Sequence, residues 1–413
     1  MTKLRKKIFI AAGYNTISLG PGRKEFHPKK YTPALEETIR EAGQGCLKQI
    51  GGAKNVDEVM IGNFMAPRFN KQGNLAAFAP MIDSGLHYKP ATRVEGACAS
   101  GGLAVVSGIR SVLSETADVA LVIGFEIQNT VKSMYGADIL AGAGWYKKRR
   151  EGHAYFFPGQ FSDRAGHYYK KYDAEKARKA MAIWYENAIK NARLCSTAQE
   201  YQNTSDSLLE TGMKAPNPNL FVDWLNYADC SKISDGASSL VVLSEEGLKR
   251  CGVTKAVEVL SFATQVGNIT EEPNDPTVLD TMASTVKEAL QDAEITLEQL
   301  GTIELHDCFS IVGILALESI GVVSKGEGPD FIIQGHTTRE GKLPINTTGG
   351  LIGWGHPTGA TGVHQAVTIW EQLTEQAGEA QITLSADKPY GMSINMGGDD
   401  KTLVVMIYKR AEL

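Results

Sequence analysis

The chain reads as an α/β protein in which one plan is written twice. Three observations predict this. Runs such as ALVIGFE at 120–126, SSLVVLSEE near residue 240 and TLVVMIYKR at the C-terminus are apolar without polar alternation. Strands read this way when both of their faces are covered. Segments with apolar residues at helical spacing alternate with these runs, which is the layering of α/β folds. Finally, YTPALEETIREAGQGCLKQIGGAKNVDEVMIGNF and VLDTMASTVKEALQDAEITLEQLGTIELHDCF share a layout of amphipathic helix, short polar loop and apolar strand. Each ends at a polar cluster, Gly62-Asn63-Phe64 in the first and His306-Asp307-Cys308-Phe309 in the second.

Taken in order, the basic start MTKLRKK is followed by IFIAAG, too short for a secretory apolar region and suited to a first buried strand. GACASGGLAVVSGIRSVL is a small-residue turn followed by Leu103, Val106, Ile109 and Leu113 at helical spacing. Its counterpart TGATGVHQAVTIWEQL carries Val363, Ala366, Val367, Trp370 and Leu373. Between the strand ALVIGFE and the strand near 240 lies an insertion rich in Tyr, Lys and Arg, with KKRR at 147–150 and a helical stripe in KARKAMAIWYENAIKNA. Linkers are rarely so aromatic, so it reads as a lid or loop domain. The expected division is a first half of residues 1–127 and 229–250, a loop domain of 128–228, and a second half of 255–413.

Composition narrows the function classes. With 413 residues, 43% of them hydrophobic and a net charge of −5, the chain has ample core and no bias toward nucleic acid or an anionic membrane. No run approaches the roughly 20 apolar residues of a membrane span. Six scattered cysteines without a CxxC pair fit neither a zinc ribbon nor a disulfide framework, so a reducing, cytoplasmic home is expected, with an organelle matrix also open.

Three places could carry chemistry, each at a strand end or helix start, where open α/β sheets bind ligands. Cys98, in VEGACASGG, reads as a nucleophile at a helix N-terminus, where the helix field favours thiolate. A buried packing thiol is the ordinary alternative. His356 sits in the glycine-rich GGLIGWGHPTGATG, and Pro357 restricts its backbone. It reads either as a surface-loop histidine or as the base that takes the sulfur proton and the cation that keeps the thiolate. In HDCFS, His306 and Cys308 fall on one side of an extended backbone and Asp307 on the other. They read as a donor and a second acid/base, or as a buried strand end.

Together these blocks resemble the thiolase superfamily. ACASGG is similar to its nucleophile motif and GWGHPTGATG to its GHP motif. Common thiolases carry NEAF at the third site and a second catalytic cysteine in a C-terminal CxGG motif. This chain has HDCF there, and Asn395-Met396-Gly397-Gly398 at the C-terminal motif. Both departures match the sterol-carrier-protein-type thiolases, in which the HDCF cysteine replaces the missing one. The blocks stand in family order and the match spans nearly the whole chain.

The resemblance implies two βαβαβαββ halves forming a five-layered αβαβα sandwich with a loop domain, assembled as a homodimer or tetramer. It implies an acyl-CoA acyltransferase that cleaves a 3-oxoacyl-CoA with CoA, or runs the reverse Claisen condensation, through an acyl-cysteine on Cys98. His356, Cys308 and His306 are the other implied catalytic groups. The implied oxyanion donors are the backbone N–H groups of Cys98 and Gly397, with His306 and His356 at the thioester oxygen. CoA is a substrate, and no metal or organic cofactor is expected. A condensing synthase of the same superfamily and a non-enzymatic acyl-CoA-binding or scaffold subunit remain alternatives. A zinc-ribbon/OB-fold protein is a possible partner subunit. KKRR reads as a solvated face or as a neighbour of the CoA phosphates. Cys46, Cys195, Cys230 and Cys251 match no motif and are expected to be packing residues.

Overall fold

The computed structural model describes residues 4–27, 34–148 and 155–413. Its strands and longer helices follow as β1 (Ile8–Asn15), α1 (Leu35–Leu47), β2 (Glu58–Gly62), β3 (Ala91–Val94), α2 (Ser100–Leu113), β4 (Val119–Glu126), α3 (Ser133–Leu140), α4 (Phe156–Lys171) and α5 (Ala174–Ala192). The second half adds β5 (Gly236–Leu243), β6 (Val257–Val266), α6 (Asp280–Ala293), β7 (Leu300–Leu305), α7 (Ser310–Ser319), α8 (Thr361–Leu373), β8 (Tyr390–Gly397) and β9 (Thr402–Arg410). The strands hydrogen-bond in the order β3-β2-β4-β5-β1-β6-β9-β8-β7. β2 runs parallel to β3 and β4, and β7 parallel to β8; the other pairings are antiparallel. The two half-sheets are joined where Ile8–Ile10 of β1 pair with Val257–Val259 of β6.

Five layers result. α2 and α8 fill the space between the half-sheets, where Val106, Ile109, Val363 and Ile369 pack with Val122 and Val242 of one sheet and Val404 and Met406 of the other. α1 covers one outer face through Ile39, Ala42 and Cys46, against Ile61, Leu121 and Val241. α6 covers the other through Met282 and Val286, against Ile303, Ile394 and Val405. β4, β5 and β7 are buried along their whole length, as unbroken apolar runs require.

The middle layer departs from the simple stripe expected of its helices. In α2, Leu103 and Leu113 are only partly buried, whereas Ala104, Val105 and Val112 are enclosed. Every residue of α8 except Glu371 is buried. A helix between two sheets has no solvent face, so its polar residues must find partners inside. Gln365 donates to Ile394 O at 2.9 Å, and Gln372 donates to Ala380 O at 2.7 Å.

The insertion's buried apolar residues do not stand apart. Phe161, Tyr168, Met181, Trp184 and Ile189 join one cluster with Ile311 and Leu315 of α7 and the strands of the second half. Arg149 and Arg150 of the KKRR run lie outside the described residues. Among the described residues, no helix is long and apolar enough to cross a membrane.

Candidate active site

The C-terminal ends of the parallel strands β3, β7 and β8 lead into the motif residues. Cys98 lies in a tight turn, Ala97–Ala99, between β3 and α2. The turn is strained: Ala97 has φ 55°, a left-handed value that costs a non-glycine residue on the order of 1–3 kcal/mol. Ser100 Oγ holds the turn, donating to Ala97 O at 2.6 Å and accepting from Gly96 N at 3.0 Å.

His356 reaches the same place because α2 and α8 meet at glycines. A Cβ on Gly101 would lie 2.8 Å from Gly359 O and 2.9 Å from Gly362 N, and one on Gly362 would press into Gly102 N and Asn395 Oδ1. Only hydrogen atoms let these helix starts approach so closely. His356 is buried rather than a surface-loop residue. Its N–H donates to Ser234 Oγ at 3.0 Å, and its carbonyl accepts from Gln128 Nε2 at 2.8 Å. From below, the Glu126 carboxylate accepts from Thr358 Oγ1 (2.9 Å) and Gly359 N (3.2 Å), and also from Asn63 Nδ2 (3.0 Å) at the end of β2. The segment before His356 contains a one-turn helix, Gly350–Gly353, where the glycine content predicts only loop.

The reactive atoms of Cys98, His306 and His356 all lie within 4.8 Å of one another. The two imidazoles meet edge to face, 5.1 Å between centroids at 87°. All three side chains, with Cys308, line a cavity of about 500 Å³. His306 and Cys308 thus share a side of the backbone, while Asp307 turns away to accept from Trp184 Nε1 at 2.9 Å and Leu351 N at 2.7 Å.

Burial opposes the thiolate that the helix start favours. A helix N-terminus stabilises an anion by at most about 2 kcal/mol, whereas each pKa unit is about 1.4 kcal/mol. Burial pushes the Cys98 thiol up to about 12, with the Gly398 N–H opposing. Burial also pulls His356 down to about 3. Burial thus favours a neutral thiol beside a neutral imidazole. Burial raises Cys308 well above the ordinary thiol value, with Cys98 adding to the rise, and lowers His306 well below the ordinary imidazole value. Thr361 Oγ1 lies 2.6 Å from His356 Nδ1 and 3.2 Å from Pro357 O. With the hydroxyl proton on Pro357 O, Nδ1–H donates to Thr361 and Nε2 is free to accept a proton.

Several neighbours of the site have contacts that the sequence reading did not assign. Gly398 lines the cavity and aims its N–H at the Cys98 sulfur, beside Gly397, which abuts the Cys98 turn at Gly96 and Ala99. Asn395 bridges the halves, with Nδ2 3.1 Å from Cys98 O and 3.2 Å from His306 Nδ1, while Oδ1 accepts from Gly102 N at 3.1 Å. Thr361, in the GATG stretch, orients His356. Cys230 also lines the cavity rather than serving only as packing, whereas Cys46 and Cys251 are core residues. The cavity's remaining wall is aromatic, with Phe161 stacked on Phe309 at 4.6 Å and Phe221 on Tyr227 at 4.5 Å.

Comparison with known proteins shows the family. Residues 29–207 match the family described as "Thiolase, N-terminal domain", and residues 263–410 match "Thiolase C-terminal domain-like". The acetyl-CoA acetyltransferase of Methanothermobacter thermautotrophicus is 34% identical over 382 residues, covering 91% of this chain and 95% of that one. The chain belongs to the thiolase family. As such it is an acyl-CoA-related enzyme with the thiolase α/β fold. Sterol carrier protein 2 of Gallus gallus is 26% identical over 420 residues, 98% of this chain and 72% of its own length. In fold, the thiolase chain is similar to a solved structure titled Ltp2-ChsH2(DUF35) aldolase, with a TM-score of 0.77 at 19% identity and full coverage of both chains.

Proposed function

We propose that this thiolase is an acyl-CoA acyltransferase of the sterol-carrier-protein type, cleaving a 3-oxoacyl-CoA with CoA through an acyl-Cys98 intermediate. One observation carries the reading: Cys98, His306 and His356 converge within 4.8 Å in a cavity that Cys308 also lines. A two-thiol, two-imidazole site can both take an acyl group and manage a carbon proton.

The steps follow from the groups present. His356 Nε2 takes the Cys98 proton as the sulfur attacks the 3-keto carbon. The N–H groups of Cys98, Gly397 and Gly398 face the oxyanion that forms. Donors of this kind are worth about 3–4 kcal/mol. The bond between C2 and C3 then breaks, and its electron pair becomes the enolate of the shorter acyl-CoA. Its thioester oxygen faces His306 and His356, and the Cys308 thiol protonates its carbon. CoA next gives its thiol proton to the Cys308 thiolate, and its sulfur attacks the acyl-Cys98 thioester. Cys98 leaves as thiolate and recovers its proton from His356. The imidazolium of His356 thus exists only between attack and release.

The aromatic wall suits an apolar acyl group larger than acetyl. The same reading includes the two halves, 1–127 with 229–250 and 255–413, and the 128–228 segment as a loop domain over the site. It also includes a homodimer or tetramer. The resemblance to sterol-carrier-type thiolases extends the proposal to a zinc-ribbon/OB-fold partner subunit. A condensing synthase that makes its enolate by decarboxylation needs no carbon acid at Cys308.

The test is CoA-dependent cleavage of a panel of 3-oxoacyl-CoAs with acid quenching and mass mapping of the adduct. The proposal expects cleavage, with the acyl group on Cys98. Acylation elsewhere with Cys98 unmodified, or no cleavage of any substrate, contradicts it.

A further inference from the structure

The carboxamide at position 395 occupies the C-terminal motif position where common thiolases have a second catalytic cysteine. It cannot exchange protons at neutral pH, and the thiolysis steps do not use it. It is nonetheless 1% exposed, and its two ends can be told apart by their partners. Gly102 N–H can only donate, so the atom facing it at 3.1 Å is Oδ1. The Cys98 carbonyl can only accept, so the atom facing it at 3.1 Å is Nδ2. These one-way partners fix the amide. The same Nδ2 lies 3.2 Å from His306 Nδ1 and can only donate to it.

We infer that Asn395 is a positioning residue that holds His306 as the tautomer protonated on Nε2. His306 Nδ1 accepts from Asn395, so the ring's single proton sits on Nε2. His356 takes the opposite arrangement when the Thr361 hydroxyl donates to Pro357 O, with its proton on Nδ1 toward Thr361 and Nε2 bare. One imidazole is thereby a fixed donor and the other an acceptor, although the rings touch edge to face. A second proton on His306 Nδ1 would meet the amide N–H₂ head on, so Asn395 keeps that ring uncharged. The inference rests on the thiolysis reading only for its purpose, a hydrogen-bond donor to the enolate oxygen. The position occupied by an acid/base thiol in common thiolases here orients the donor, and the carbon proton falls to Cys308.

Two measurements on the full chain test this. Neutron diffraction of the wild-type protein is expected to place deuterium on Nε2 of His306 and none on Nδ1; deuterium on Nδ1 overturns the inference. The second compares Asn395→Asp with wild type in exchange of acetyl-CoA α-protons with deuterated solvent. A carboxylate would draw the ring proton to Nδ1, so Nε2 could donate only while His306 is a cation. The variant is expected to exchange about 10²-fold more slowly and to gain an alkaline limb that the wild type lacks. A pH profile parallel to wild type overturns the inference. The neutron result decides the matter if the variant does not fold. Deuterium on Nε2 in a protein that cleaves no 3-oxoacyl-CoA would uphold the tautomer and refute the thiolysis reading instead.

Discussion

β2 and β7 end at equivalent points of the repeated plan, yet their ends do different work. At the end of β2, Asn63 is fully buried and its amide is used up inside the protein. Oδ1 accepts from Ala66 N at 3.1 Å, and Nδ2 donates to Phe125 O at 3.1 Å and to Glu126 at 3.0 Å. At the end of β7, Asp307 plays that inward part, toward Trp184 and Leu351. Its neighbours His306 and Cys308 keep capacity in hand and face the cavity. The lesson is that a repeated strand end becomes a reactive site only where hydrogen-bonding capacity is left over. The first half supplies a brace at this point, and in the proposed reaction the second half supplies chemistry.

The comparison can be broken in order of expected effect. His356→Ala removes the base from the resting thiol and is expected to slow acylation of Cys98 by about 10²–10⁴-fold, read as the rate of adduct formation by mass spectrometry. Gly362→Ala drives a methyl group into Gly102 and Asn395 and separates the two helix starts. Misplacement of about 1 Å costs roughly 10²-fold, so adduct formation should fall by about that factor in a chain whose circular dichroism is unchanged. Asn63→Ala strips the brace and leaves Glu126 short of a donor. It is expected to lower unfolding free energy by about 1–3 kcal/mol in a denaturant titration, with a smaller effect on rate than either substitution above. The smallest effect is one of pH. His356 lies below the ordinary imidazole value because it is buried, so it stays an uncharged base as pH falls through 6.5 toward about 3. Acylation should then show no acid limb between pH 7 and 5, and a limb centred near 6.5 would show an ordinary, solvated imidazole.

Much of this was legible in the sequence because the signals are local. Unbroken apolar runs marked β4, β5 and β9, and the doubled helix–loop–strand pattern marked the halves. Period-two spacing put His306 and Cys308 on one side and Asp307 on the other. What stayed hidden depends on contacts between distant segments. The short strand β3 is only partly buried, and its four residues carry no period. The enclosure of α8 on all sides has no trace in a pattern built for one solvent face. Asn395 was visible as a missing cysteine, but its partners come from the residue after β7, the turn before α2 and the first turn of α2. The upward push of burial on the Cys98 thiol is something a motif does not report. Cys230 belongs to no motif and reaches the cavity because it bridges Phe309, next to Cys308.

The central claim, that the end of β7 carries the carbon proton, is tested most directly by Cys308→Ala in deuterated solvent. One sample reports both reactions: mass mapping reads the acyl group on Cys98, and the same acetyl-CoA reads α-proton exchange. The account predicts that Cys98 is still acylated while exchange and 3-oxoacyl-CoA cleavage fall by about 10²–10⁴-fold. Exchange and cleavage near wild-type rates in the variant would contradict it and move the carbon acid away from Cys308.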